Sequence, residues 1–343
     1  MSCCCVDLNT VWFAVIGVLF TGYALLDGFD LGVGIVHLFA KSDDDRRIAI
    51  NAIGPVWDGN EVWLLAGGGA LFAAFPRVYG TVFSGFYLAI MLLLFALIFR
   101  AVSIEFRGKL DWSLWRKAWD FCFSAASLAA ALLLGVALGN IARGIPLDAE
   151  GEFAGTFLGL LNPYALVVGL STAALFAMHG ALYLNLKAEG DLQASARRSA
   201  LGAFVVFAAL YVLLTFATWL GLPHMIRPFD ERPLLFAIPL ILVLAMADIP
   251  FELRAGRDLR AFLASCATIV CLMLLFGVGM FPNMVLSSPD PAHSLTIYNA
   301  ASSAKTLRIM LTMVLIGMPL VLVYTAYIYR VFRGKVKLDS MSY

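Results

Sequence analysis

The chain has 343 residues, 62% of them hydrophobic and 14% charged, with a formal net charge of +1 and a mean hydropathy of +0.88. A soluble domain carries about 25% charged residues, so this is the composition of a polytopic membrane protein, and a near-neutral chain offers no footprint for nucleic acid. No GxxxxGK phosphate loop is present, which leaves an ATP-driven pump unsupported.

Nine apolar stretches approach the ~20 residues that a bilayer requires. They cover roughly 10–38, 54–75, 79–101, 118–140, 162–186, 200–220, 234–250, 261–281 and 306–329, the seventh being the shortest. The first has no basic leader and no cleavage site, so it reads as a retained helix. Lys and Arg alternate between the connections. Lys41, Arg46, Arg47, Arg100, Arg107, Lys109, Arg116, Lys117, Lys187, Arg197, Arg198, Arg254, Arg257, Arg260, Arg330, Arg333, Lys335 and Lys337 make up 18 of the 24, all on one side. The positive-inside rule places that side in the cytoplasm, the N-terminus outside and the C-terminus inside. The basic pairs Arg46-Arg47 and Arg197-Arg198 follow the first and fifth spans, an echo that charge selection alone would also produce. The segments Arg143–Leu161 and Phe281–Lys305 are the longest outer connections.

The first span contains TGYALLDGFDLGVGIVH. Asp27 and Asp30 are three apart and share a helical face. Gly28 and Gly32 form a small-xxx-small pair that admits a second helix closely. At 1.5 Å per residue Asp30 lies about 30 Å from Thr10, near the cytoplasmic edge. The second span, GPVWDGNEVWLLAGGGALFAAFP, carries Asp58, Asn60 and Glu61 just inside its first turns, with Trp57 and Trp63 on either side. An ionisable group within a span is costly, faces protein or water, and marks a functional site by default. The link PRVYG makes the second and third spans antiparallel neighbours. Arg100 ends the third span and Asp120 opens the fourth, so four successive spans place charge at one level. One reading is a chain of carboxylates that conducts protons inward from the cytoplasm; the other is an ion-pair network that fastens helix ends.

Four histidines remain. His37 sits at a cytoplasmic end, His224 and His293 in outer connections, and His179 alone within a span. A bis-histidine haem needs two facing ligands, so His179 reads as a hydrogen-bonded interior residue. Cys3, Cys4 and Cys5 are consecutive, Cys122, Cys266 and Cys271 lie in apolar runs, and there is no CxxC pair, which is the pattern of inert thiols. Asn162-Pro163 opens the fifth span, and Asp248-Ile-Pro-Phe-Glu252 ends the seventh.

These blocks carry a resemblance. WFAVIGVLFTGYALLDGFDLGVG, RRIAINAIGPVWDGNEVWLLAGGGALFAAFPRVYGTVFSGFYLA, LLNPYALVVGL, GMFPNMVLSS and SLTIYNAASSAKTLRIM closely resemble subunit II of the cytochrome bd-type quinol oxidases, over most of the chain. The resemblance implies an all-α polytopic fold of nine transmembrane helices in a single membrane domain, 1–343. A first four-helix bundle would cover about 10–140, a second about 162–281, and a peripheral ninth helix about 306–329. It implies a partner, subunit I, carrying haems b558, b595 and d and the quinol site, in a complex of the bacterial cytoplasmic membrane that reduces dioxygen to water with cytoplasmic protons. Subunit II of that family holds no haem and is not catalytic alone. A structural quinone or lipid and a small single-span accessory subunit are further components the family admits. Asp58 matches the aspartate of a proton route toward the haems, with Asp30, Asp27 and Glu61 beside it. Arg100 and Asp120 match charged positions of the first bundle, and Trp63 a position linked to oxygen entry. Glu61 stands where members carry Gln, which adds a carboxylate, and the outer segment Pro223–Pro233 is shorter than in some members. A secondary transporter with an acid-lined path is the alternative from another class, and it lacks the paired broken helices usual there.

Overall fold

The computed structural model describes residues 7–338, so Cys3, Cys4 and Cys5 lie outside the described residues. The described chain is helical except for one two-stranded ribbon. Its helices are α1 (Leu8–His37), α2 (Asp43–Ile53), α3 (Trp57–Ala74), α4 (Pro76–Gly85), α5 (Tyr87–Phe106), α6 (Ser113–Arg143), α7 (Pro163–Lys187), α8 (Gly190–Gly221), α9 (Pro223–Glu231), α10 (Ala237–Arg254), α11 (Asp258–Met280) and α12 (Ala304–Val331). Eight are long and apolar enough to cross a membrane: α1, α5, α6, α7, α8, α10, α11 and α12.

The stretch expected to be the second span differs from those eight. It is α3, an 18-residue helix whose WDGNE opening and central glycines lower its hydropathy. Ahead of it α2 forms a separate amphipathic helix, closed by a capping box between Ser42 and Asp45. The PRVYG segment is not a link. Pro76 occupies the first turn of α4, where its missing N–H costs nothing, and the chain breaks again at Phe86 before α5. In consequence α3 packs mainly on α1, and α5 on α6. Asp248–Glu252 does not end a helix either, for α10 runs through Pro250 to Arg254. Beyond it the Arg257 guanidinium grips Glu252.

α1 is the central element, packed by α3, α6, α7 and α11. Its crossing with α7 depends on missing side chains. A Cβ on Gly32 would meet the Phe176 carbonyl and the Gly180 nitrogen, and one on Gly180 would meet the backbone of Gly32 and Val33. Gly28 receives the Phe176 ring. The small-residue pair of the first span thus serves a contact inside this chain, where close backbone approach replaces the hydrophobic drive that lipid does not supply. α6 and α7 cross in the same way at Gly135 and Gly169.

The two long connections opposite the basic end fold together. β1 (Asn283–Val285) and β2 (Leu295–Thr296) pair antiparallel. The Ile145 N–H donates to the Leu286 carbonyl and the Ser288 N–H to the Ile145 carbonyl, each at 2.9 Å. Arg77 and Thr81 of α4 donate to the carbonyls of Glu150 and Gly151. These bonds satisfy backbone groups that neither helix nor lipid could. The sequence marked these segments only as polar.

α12 lies on the outside of the bundle, packed along its length by partly buried side chains such as Met310, Val314, Met318 and Ile328. Among the described residues, Leu307 is its one buried side chain, and the Leu307 carbonyl accepts from the Trp12 indole N–H at 2.9 Å. Trp12→Phe keeps an aromatic ring but removes this bond and part of a buried indole. It should lower the stability of the folded chain by about 1 kcal/mol for the bond and more for the space left behind, read as an earlier midpoint in a denaturing-detergent titration. An unchanged midpoint would show that α12 is held from elsewhere.

Candidate functional site

Two polar clusters lie toward the basic end of the helices. The first is built by α1, α3 and α5, with a contribution from α12. Asp27 and Arg100 are both fully buried, and Arg100 Nη2 donates to Asp27 Oδ1 at 2.8 Å. Glu61 Oε2 lies 3.7 Å from Arg100 Nη1, and the guanidinium sits 5.9 Å from the Trp57 ring centre. Asp30, one turn along from Asp27, is also fully buried. Its Oδ2 accepts from Asn60 Nδ2 at 2.7 Å, and the Asn60 carbonyl accepts from the Tyr329 hydroxyl at 3.0 Å. Three carboxyls therefore share one guanidinium, in a site of low dielectric where an uncompensated charge is expensive.

Several atoms of this cluster are buried without a hydrogen-bond partner among the described residues: Asp27 Oδ2, Asp30 Oδ1, the Tyr23 hydroxyl and Arg100 Nε. Buried polar atoms are ordinarily satisfied, by protein or by ordered water. Asp58 stands apart from this cluster. It is exposed on the first turn of α3, while Glu61 is half-buried behind it and faces Arg100. The same side of α3 presents Gly59, Val62 and Leu65, with open space around Gly59, Gly68 and Gly69.

The second cluster centres on Asp120. Its Oδ1 accepts from Arg107 Nε at 2.6 Å and lies 2.7 Å from His37 Nε2, and its Oδ2 accepts from Arg46 Nη1 at 3.0 Å. Arg107 also donates to Asp43 at 2.6 Å. Arg100 and Asp120, expected at one level, thus belong to separate sets. Both oxygens of Asp120 are engaged by cationic groups, so this cluster joins α1, α2, α6 and the end of α5 as a fastener.

His179 is buried with both ring nitrogens occupied: Nδ1 lies 2.7 Å from Ser265 Oγ and Nε2 3.0 Å from the Leu25 carbonyl. The Phe262 ring stacks on it at 4.8 Å. Trp63 is buried against Gly22 with Leu19 and Tyr23, away from the interfacial position its residue type suggests. Among the described residues, no group of three or more His, Cys, Asp and Glu side chains could hold a metal ion. Cys122, Cys266 and Cys271 are free thiols. Sequence reasoning missed three features here. It placed His37 at a helix end, as the last residue of α1, but did not find that it is buried on Asp120. It noted Asn60 as polar but gave it no task. It gave Tyr329 none either, since nothing along the chain ties it to a residue 269 positions away.

Charge held inside an all-helical bundle of membrane-spanning length defines a class: a polytopic membrane protein with ionisable groups at the depth of its spans. Comparison narrows it. The model of the family described as cytochrome bd terminal oxidase subunit II matches residues 8–332. The chain is 35% identical to the cytochrome bd-I ubiquinol oxidase subunit 2 of Escherichia coli (strain K12), an alignment covering 97% of this chain and 96% of the relative. It is also 35% identical to the cytochrome bd ubiquinol oxidase subunit 2 of Bacillus subtilis (strain 168), covering 96% and 97%. Its fold resembles a chain in the structure of bd oxidase from Geobacillus thermodenitrificans, with a TM-score of 0.79 at 16% identity over 95% of this chain and 99% of that one. The chain belongs to the cytochrome bd terminal oxidase subunit II family, and it is a multi-pass protein of the bacterial cytoplasmic membrane.

Proposed function

We propose that this chain is the haem-free subunit II of a bd-type quinol oxidase, not catalytic alone, which assembles with a haem-bearing subunit I and gives protons a path toward that subunit. The observation that carries the reading is the placement of Asp58. A carboxyl on the outer surface of a helix with spanning neighbours cannot face lipid at tolerable cost and meets protein or water; in this reading a second protein surface covers it. The small, open face of α3 around Gly59 suits a partner helix. Behind Asp58 the order of groups is Glu61, then Arg100 with Asp27, then Asp30 through Asn60, and the unpartnered oxygens in that space suit water. In this reading α3 is the second of nine spans, with the N-terminus outside, the basic end in the cytoplasm, bundles at about 10–140 and 162–281 and a peripheral ninth helix at 306–329. Asp120 and its cations hold the cytoplasmic ends together around the path, and Trp63 lines the approach of oxygen. Haems b558, b595 and d and the quinol site belong to the partner. A structural quinone or lipid and a single-span accessory subunit complete the assembly.

The engagement of both His179 nitrogens supports the haem-free assignment, since an axial ligand must present a free ring nitrogen. The visible spectrum tests it. The chain purified alone should show no stoichiometric haem bands, and the chain co-purified from its native membrane should show them. Full haem content in the isolated chain would overturn the assignment.

A further inference from the structure

The tie between Asp30 and the last helix has a direction. Asn60 Nδ2 donates to Asp30 Oδ2 at 2.7 Å and to the Leu26 carbonyl at 3.4 Å, while its Oδ1 accepts from the Tyr329 hydroxyl at 3.0 Å. Turned over, the same amide would set its oxygen against a carboxyl oxygen and a backbone carbonyl, and its N–H group toward a hydroxyl that would have to stop donating. Which way an amide points is decided by such a network; here the two acceptors set the direction, and the hydroxyl from α12 fixes the carbonyl end. The Tyr329 ring is itself located by aromatic packing. It meets Phe29 edge-on at 6.4 Å, and Phe29 stacks on Tyr183 at 3.9 Å. The Tyr183 hydroxyl in turn donates to the Ala52 carbonyl at 3.3 Å.

We propose that Tyr329 is a positioning residue for the acid cluster: its hydroxyl holds Asn60 with the amide N–H turned toward Asp30, so that the last helix sets the geometry of that carboxyl. This rests on the reading of Asp30 as part of the proton path. Without the hydroxyl the Asn60 carbonyl loses its donor among the described residues, the amide is held only from its N–H end, and the partner of Asp30 is less firmly placed. The ring and its contacts with Phe29 survive in Tyr329→Phe.

The test uses the complete oxidase with its partner subunit, turnover being normalised to haem content. Tyr329→Phe should lower quinol oxidase turnover about five-fold, the scale of one lost hydrogen bond, with normal assembly. Asp30→Asn should lower it further, and the double variant should equal Asp30→Asn alone, because a residue acting through another has no separate effect once that other is gone. A role confined to fastening α12 predicts instead normal turnover per haem in whatever complex assembles, and an effect independent of Asp30 predicts losses that multiply in the double variant; either result overturns the proposal. Wild-type turnover in Tyr329→Phe beside an impaired Asp30→Asn also overturns it, leaving the proton path intact. Wild-type turnover in Asp30→Asn removes the path, and the proposal with it. If Tyr329→Phe does not assemble, Asn60→Ala carries the test. It leaves the Tyr329 ring in place and should show the same loss, again absent on top of Asp30→Asn, and wild-type turnover there overturns the proposal.

Discussion

Asp58→Asn should leave the oxidase assembled with a normal haem spectrum, while quinol oxidase turnover falls on the order of a hundred-fold, the contribution a positioned proton-transfer group makes. Asn preserves the size of the side chain and much of its hydrogen bonding but cannot exchange a proton. The geometry separates the two demands on this residue. Asp58 is exposed on α3 and forms no ion pair within 4.0 Å among the described residues, so the fold of this chain does not depend on its charge. Glu61, on the same side of the helix, faces inward to Arg100 and the buried carboxyls, and on the proposed path Asp58 is the entry to them. Each proton drawn across the full membrane at about 100 mV represents ~2.3 kcal/mol, so a defined entry matters to the energy yield. A purely structural Asp58 would give the opposite order: lost assembly or lost haem, with normal turnover in the complex that remains. An assembled Asp58→Asn oxidase that turns over at the wild-type rate, with normal proton uptake in sealed vesicles, would rule out the relay.

Much of this was legible along the chain, for physical reasons that can be named. Apolar runs of spanning length announce helices because backbone polar groups in lipid must pair within their own segment, and eight runs appear as expected. Acids inside such runs stand out because they are costly, and DGFD and DGNE are where the first cluster forms. The Gly28 and Gly32 pair announced a close crossing, though not its partner α7. What stayed hidden was pairing between distant segments. Asp27, Asp30, Arg100 and Asp120 read as one level of charge, yet Arg100 selects Asp27, and Asp120 selects Arg107, Arg46 and His37. That choice depends on how α5 and α6 rotate against α1, which no local pattern records. The break at Phe86 was hidden for a related reason. An apolar run continues across it, so hydropathy reads one span where the chain forms α4 and then α5. The docking of Ile145 on Leu286 and Ser288 joins connections more than a hundred residues apart in sequence.

Arg100→Gln should be the most damaging change to the fold of the first cluster. Arg100 is fully buried, bound to Asp27 at 2.8 Å, close to Glu61 and set by the ring of Trp57. Removing it leaves Asp27, Asp30 and Glu61 with no cation among them, and loss of one member of a buried pair costs about 3–5 kcal/mol. The expected result is a sharp fall in the yield of assembled complex. Asp27→Asn in the same chain removes the carboxylate that Arg100 held, so the double variant should recover a good part of the yield, since neutral Asn and Gln side chains can hydrogen-bond where a lone charge cannot be left. The non-additivity measures the coupling of the pair, separately from any proton it carries. Should Arg100→Gln assemble like the wild type, the guanidinium is not what secures α5 to α1. If the two losses simply add, Asp27 and Arg100 act independently, and the cluster owes its order to Asn60 and the aromatic residues around Asp30 instead.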